Sequence, residues 1–133
     1  MSEVFLREIF FYKYFFLEFY HAQNPVVRRK FDWTLQLIAT IERVPAKYFD
    51  HISNSEGLYE IRVESGGDIF RVFCFFDKGR LIILLNGFQK KTQKTPQKEI
   101  ERAEKLRKQY KEKLRKQYKE EQQEDANHKK GKQ

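Results

Sequence analysis

The sequence predicts an α+β fold in which an antiparallel β-sheet carries helices on one face and a long charged helix ends the chain. Three apolar segments between residues 58 and 88, separated by turn-forming residues, predict an antiparallel meander. A run of apolar residues at helical spacing after Pro25 predicts an amphipathic helix. From Thr95 onward charged residues dominate, which is typical of a largely solvated helix.

The N-terminal half contains one short predicted strand and one clear helix. Residues 9–12 are aromatic and β-prone, whereas residues 13–22 fit either an extension of that strand or a short helix. Asn24 suits an N-cap and Pro25 the first helical position, which predicts a helix of about 18 residues. Its apolar face consists of Val27, Phe31, Leu35 and Ile38, widened by Trp33, Leu37 and Ile41. A further helical turn or two is predicted over residues 46–52.

The predicted meander follows a turn cluster at residues 53–57. Its strands cover residues 58–64, 69–77 and 80–88, joined by tight turns. The two later strands are apolar on both faces, which predicts a central position with helices packed on one side.

Composition limits the class of protein. A chain of 133 residues fits one domain, and its single cysteine, Cys74, lies in an apolar run and is expected in the core. Charged residues interrupt residues 1–20, so no secretory leader is expected, and no run approaches the roughly 18 apolar residues of a membrane span. The sequence therefore predicts a cytoplasmic protein with no membrane partner. It holds no Cys/His metal cluster, glycine-rich phosphate loop or serine elbow, so neither a metal site nor a cofactor is expected.

The net charge of +8 lies entirely in the C-terminal part of the chain. Residues 1–87 contain 11 basic and 11 acidic side chains, and residues 88–133 contain 16 basic and 8 acidic ones. Lys90, Lys91 and Lys94 follow an apolar strand with no acidic residue among them. Such a cluster suits a polyanion, of which nucleic acid is the commonest, and a plain solvated lysine-rich tail is the alternative.

Arg62 and Arg71 lie in the middle of predicted strands. A charged side chain there is costly unless it is paired or lies in a wet groove. One interpretation is an ion pair with Glu60 or Glu64. The other is a concave basic site in which both arginines and the lysines face RNA phosphate. Of the three histidines, which are expected at the surface, His51 precedes the strands and is the one to check.

The last helix contains an identical duplication. The sequence KLRKQYKE at residues 105–112 recurs at residues 113–120, and this eight-residue period gives no coiled-coil seam. A solvated helix is one interpretation of the repeat, and an RNA-contacting or partner-binding helix is the other. We expect a first domain at residues 1–112 and an extension at residues 113–133, of which residues 121–133 are predicted to be disordered.

The segment GLYEIRVESGGDIFRVFCFF, followed by an apolar strand and GFQKKTQKTPQKEIERA, resembles the RelE-like toxins of bacterial toxin–antitoxin systems. It is most similar to the phage-related HigB branch. The resemblance implies a compact α+β domain with a basic catalytic concavity on the sheet face opposite the helices. It also implies metal-independent cleavage of mRNA on the ribosome, by attack of a 2′-hydroxyl on the adjacent phosphorus.

The resemblance implies catalytic roles for some residues and RNA-binding roles for others. The implied catalytic residues are Arg62, Arg71, Lys91 and Lys94. The implied RNA-binding residues are Phe88, Lys90 and Lys98. The expected partners are mRNA, the ribosome and a helix-turn-helix antitoxin. A non-catalytic basic RNA-binding module and a protein-interaction module with an aromatic partner surface are the alternatives, because the sequence offers no clear general base.

Overall fold

The structure of the protein, a computed structural model, describes residues 5–131, with side chains described except at residue 122 and residues 125–131. Five strands and three helices form it. The strands are β1 (Glu8–Phe11), β2 (Phe49–His51), β3 (Leu58–Ser65), β4 (Asp68–Asp77) and β5 (Leu81–Lys90). The helices are α1 (Phe15–His21), α2 (Pro25–Thr40) and α3 (Gln97–Gly131).

The strands form one sheet in the order β1-β5-β4-β3-β2. The pairs β3–β4 and β4–β5 are antiparallel, which confirms the predicted meander and the central position of its two later strands. β1 joins β5 as a parallel neighbour. Between β1 and β5 the chain forms α1, α2 and strands β2–β4, so no tight turn has to join this parallel pair.

Residues 46–52 were predicted to form one or two helical turns, and the structure shows one turn followed by a strand. A single turn forms, in which the amides of Tyr48 and Phe49 donate to the Pro45 carbonyl at 2.9 and 3.2 Å. The chain then becomes β2, which pairs antiparallel with β3. The ring of Phe49 stacks on Tyr59 with centroids 5.0 Å apart, so packing against the neighbouring strand outweighs the local helical preference.

The two N-terminal helices pack on one face of the sheet. Residues 15–21 form a helix, which decides between the two alternatives for this segment. In α2 the side chain of Asn24 accepts a hydrogen bond from the Val27 amide at 3.0 Å and Pro25 occupies the first turn, so the predicted helix start is confirmed. α1 lies so close to β5 that a Cβ at Gly87 would overlap the Phe19 ring, so a glycine is required at this contact.

The sheet separates two apolar clusters. The first joins α1 and α2 to one face and contains Phe16, Val27, Phe31, Ile38, Ile61, Val63, Phe70, Val72, Cys74, Ile82 and Leu84. The second joins α3 to the opposite face and contains Tyr12, Leu58, Phe73, Phe75, Ile83, Leu85, Phe88, Ala103 and Leu106. Cys74 is fully buried, as predicted, and burial raises the pKa of its thiol.

Two side chains of α3 anchor it. The Arg107 guanidinium donates to the Glu56 carbonyl and to Glu104, and the Tyr110 hydroxyl donates to Asp77 at 2.8 Å. The helix runs on to Gly131, and the domain division at residue 112 and the disorder expected from residue 121 stay predictions. Residues 132 and 133 lie outside the described part. From Lys113 onward the described side chains are exposed. Within the described part of the chain, no helix is long and apolar enough to cross a membrane.

Candidate functional site

The register of the meander places the candidate residues in rows across the sheet. Arg62 of β3 is directly opposite Arg71 of β4, and Arg71 is opposite Phe88 of β5. One step along the strands, Ile69 of β4 is opposite Lys90 of β5. Since alternate residues share a face, Arg62, Arg71, Phe88 and Lys90 lie on the face that also carries α3. The structure thus brings together four of the seven residues implied by the resemblance.

Glu60 lies between the two arginines. The Nε of Arg62 donates to Glu60 Oε1 at 2.8 Å, and the Arg62 Nη2 lies 2.7 Å from the same oxygen. The Nε of Arg71 lies 3.8 Å from it, which is charge attraction without a hydrogen bond. Glu60 is 6% exposed. The ion-pair interpretation of the strand arginines is therefore correct for Glu60, and it leaves Arg71 with unused donors.

Arg62 is held at the edge of the sheet. Its Nη1 donates to the Ala46 carbonyl at 3.2 Å, and its Nη2 lies 3.6 Å from a carboxylate oxygen of Asp50. About a third of the side chain, 32%, is exposed. Asp50 belongs to β2, a strand that the sequence did not predict, so nothing in the sequence indicated this contact.

Arg71 is buried, with 7% of its surface exposed. Its Nη1 donates to the neighbouring Phe70 carbonyl at 3.0 Å, whereas the buried Nε has no hydrogen-bond partner. Burial lowers the pKa of the Arg71 guanidinium, and the carboxylate of Glu60 opposes this effect. A guanidinium nevertheless stays cationic in a protein. A buried donor without a partner costs about 1–3 kcal/mol, and attraction to the Glu60 carboxylate offsets part of that cost.

Phe88 lies beneath this row instead of presenting its ring to solvent. It is 9% exposed, and its ring lies 5.2 Å from that of Phe73. Little of the Phe88 ring is therefore accessible for the RNA-binding role that the resemblance implies. Its position opposite Arg71 suits packing against the Arg71 side chain.

The lysines lie at the exposed end of the same surface. Lys90 is half-buried at the end of β5, Lys91 and Lys94 are exposed in the connection 91–96, and Lys98 is exposed in the first turn of α3. Among the side chains that the structure describes, none of the four makes an ion pair.

A buried amide determines where that connection begins and ends. The Nδ2 of Asn86, which is 1% exposed, donates to the carbonyl of Glu99 at 3.3 Å and to its carboxylate at 2.9 Å. The Thr92 hydroxyl donates to the Lys94 carbonyl at 2.9 Å, which shapes the connection itself. These contacts tie β5 to the start of α3. Asn86 was not among the predicted site residues, although a polar residue directly after the apolar run 81–85 was a signal.

His51 does not join the site. It pairs with Tyr59, and its ring meets the Tyr59 ring edge-on at 5.2 Å. Since Tyr59 alternates with Glu60 and Arg62, His51 belongs to the opposite face. Among the described residues, no group of three or more His, Cys, Asp or Glu side chains is arranged to hold a metal ion.

One comparison with known proteins identifies a family. The model of a family described as phage-derived protein Gp49-like (DUF891) matches residues 18–108, which is more than half of the chain. The match includes Arg62, Arg71 and the lysine connection, and it ends within the first copy of the repeat at residues 105–112. No curated protein matches the chain.

Proposed function

Because the chain belongs to the Gp49-like family of phage-derived proteins, a RelE-like family of toxin-like modules, we propose that it is an mRNA-cleaving toxin of the HigB type. In this proposal it acts on the translating ribosome and is neutralised by a helix-turn-helix antitoxin. One observation carries the proposal: Arg71 is a buried cation directly opposite Arg62, on the sheet face where Lys90 begins the lysine segment.

The proposed reaction needs no metal. The 2′-hydroxyl of one nucleotide gives its proton to solvent water and attacks the adjacent phosphorus, and the bond to the 5′-oxygen of the next nucleotide breaks. The products are a 2′,3′-cyclic phosphate and a 5′-hydroxyl. Negative charge grows on the non-bridging oxygens in the transition state. Arg71 stabilises that charge, because a desolvated guanidinium acts more strongly than one in water.

The other residues divide the remaining tasks. Arg62 adds a second guanidinium, and Glu60 positions it by accepting its Nε hydrogen bond at 2.8 Å. Lys91 or Lys94 donates the proton to the leaving 5′-oxygen, because both are exposed cations at the edge of the site. The backbone of the RNA contacts Lys90 and Lys98.

The test is a brief induction in bacteria of the wild type beside Arg71→Ala, with mapping of 5′-hydroxyl RNA ends across the transcriptome. New ends inside translated frames are expected from the wild type. We expect them to fall by about 100-fold or more in the variant, the cost of losing one transition-state donor. Arg80→Ala, which removes an exposed arginine from the turn directly before β5, is the matched control and should cleave normally.

Two results would contradict the proposal. Full toxicity of folded Arg71→Ala and Lys91→Ala would remove the site assignment. If soluble, folded wild-type protein produced no new ends, the second candidate, a non-catalytic RNA-binding module, would be favoured. That candidate rests on the exposed lysines at 90–98 and on the basic surface of α3. It requires RNA binding that weakens steeply with salt, and no cleavage.

A further inference from the structure

A groove opens beside the end of β3 that extends past its pairing with β2, on the side of the sheet that carries α2. Its volume is about 590 Å³, within the range of small-ligand sites. One wall is a stripe of α2 that includes Arg29, Lys30 and Trp33. The other wall comes from the turn before β2, with Lys47 and Tyr48, and from the edge of β3 beyond the last residue paired with β2.

Trp33 presents a large aromatic surface to this groove. The sequence placed it on the widened apolar face of α2, yet 54% of it is exposed. It meets the Tyr48 ring edge-on, with centroids 5.2 Å apart and an interplanar angle of 72°. That contact supports the indole from one side and leaves much of it open. Half-exposed aromatic rings supported in this way are the stacking platforms of single-strand-binding proteins.

The rim of the groove is basic. Arg29, Lys30 and Lys47 are exposed, and Glu64 is the acidic side chain among the lining residues. The Lys30 ammonium donates to the main-chain carbonyl of Glu64 at 2.9 Å, so no carboxylate neutralises it. Among the described side chains, neither Arg29 nor Lys47 makes an ion pair. An aromatic floor with a cationic rim matches a nucleotide, which has a flat base and an anionic phosphate.

Arg62 connects the groove to the arginine pair. It is one of the lining residues, and its guanidinium bonds the Ala46 carbonyl, directly before Lys47, as well as Glu60. We propose that the groove is a second RNA subsite, in which one unpaired base stacks on Trp33 and its phosphate lies on the rim of Arg29, Lys30 and Lys47. The inference rests on the proposed function, because it makes this nucleotide a neighbour of the cleaved one.

Fluorescence of Trp33 can report on binding in the groove, because Trp33 is the single tryptophan of the chain. The full-length protein is titrated with a fluorescently labelled 2′-O-methyl hexanucleotide, which binds like RNA and lacks the attacking hydroxyl. We expect quenching of tryptophan emission that saturates with binding measured by anisotropy. An abasic strand of the same length should bind the lysines and leave the emission unchanged.

Variants connect the signal to the groove. Arg29→Ala with Lys47→Ala should weaken binding by about tenfold, whereas Arg43→Ala with Arg80→Ala removes two exposed charges elsewhere and controls for net charge. Trp33→Leu should weaken binding of the 2′-O-methyl strand by about tenfold, measured by anisotropy, and leave the abasic strand unaffected. Circular dichroism confirms that each variant is folded.

The outcomes separate the groove from the cleavage reaction. Binding without quenching, equal quenching by the abasic strand, or equal affinities for the two double variants would overturn the subsite. So would quenching by an extended acidic peptide but not by RNA, since the open edge of β3 would then accept a protein strand. Cleavage in cells without quenching of tryptophan emission would exclude the proposed subsite and leave the proposed nuclease standing. Quenching without cleavage keeps the groove and removes the proposed nuclease.

Discussion

Two cationic regions of the proposed cleavage site, the arginine pair and the lysine segment, differ in almost every physical respect. Arg71 is buried in a central strand, and Arg62 is held by Glu60, Asp50 and the Ala46 carbonyl. The lysines at residues 91–98 are exposed and make no ion pair among the described side chains. Burial strengthens the interaction of a cation with a phosphate, whereas exposed charges act through a field that salt screens over about 8–10 Å. We therefore expect the arginines to position and stabilise the reacting phosphate, and the lysines to attract the RNA backbone.

The largest expected effect is a loss of cleavage rate on substitution of Arg71, and it tests whether the shape of the guanidinium matters beyond its charge. Arg71→Lys keeps the charge and removes the forked donor geometry. We expect cleavage of a ribosome-bound message to fall by about 100-fold, the cost of losing one preorganised transition-state donor. The salt dependence of RNA affinity should not change, because the number of cations does not. Both quantities are measured with purified protein, by primer extension and by anisotropy.

The control for Arg71→Lys is a conservative substitution in the lysine segment. Lys94→Arg exchanges one exposed cation for another, so RNA affinity and its salt dependence should stay at the wild-type level. If Arg71→Lys cleaved as fast as the wild type, geometry at Arg71 would not matter and the comparison between the two regions would fail.

The next effect concerns the stability of the arginine pair. Glu60→Gln removes the carboxylate that faces both guanidinium groups, which are directly opposite on neighbouring strands. We expect the free energy of unfolding to fall by about 2–4 kcal/mol, because one buried charge loses its partner while Arg62 stays partly solvated. Glu64→Gln, on the same strand and face but exposed, should change it by no more than about 0.5 kcal/mol. Urea denaturation measures both, and equal losses would contradict the role of Glu60.

The elements that sequence analysis predicted correctly depend on local chemistry. The start of α2 follows from Asn24 and Pro25, since a cap and a fixed φ act within one turn. The meander follows from apolar segments joined by short turns. The choice of Glu60 over Glu64 as the partner of the arginines was left open, because it depends on the conformations of long side chains that alternation does not determine.

The misses have non-local causes. β2 exists because Phe49 stacks on a ring ten residues further along the chain, whereas the sequence around it favours a turn. Asp50 was missed for the same reason. Trp33 fits the helical period of the core face, yet it borders a groove whose far wall comes from another element.

A smaller effect is expected from the lysines that contact the RNA backbone. Lys90→Gln with Lys98→Gln should lower RNA affinity similarly for all sequences and reduce the slope of log affinity against log salt by about 1.4, or 0.7 for each phosphate contact. Turnover of bound RNA should not change. Anisotropy between low and physiological salt tests this, and an unchanged slope would show that neither lysine contacts phosphate.

The smallest effect is expected from removal of residues 113–133. The contacts of α3 with the sheet include the Tyr110 hydrogen bond to Asp77 and the Lys111 ammonium over the Phe75 ring, 5.7 Å from its centroid. Beyond them the described side chains are exposed, and the family match has already ended at residue 108. The melting temperature should therefore stay within about 2 °C and the cleavage rate within about twofold.

A longer truncation gives this experiment its contrast. Removal of residues 105–133 also deletes Leu106, Arg107 and Tyr110, which cover one face of the sheet and hold the turn at Glu56. That protein should unfold at a much lower temperature, because the second apolar cluster loses its cover. If the shorter truncation instead abolished cleavage while the domain stayed folded, the repeated helix would belong to the RNA-binding surface. The division between a positioning arginine pair and an attracting lysine segment would then have to include a third basic region.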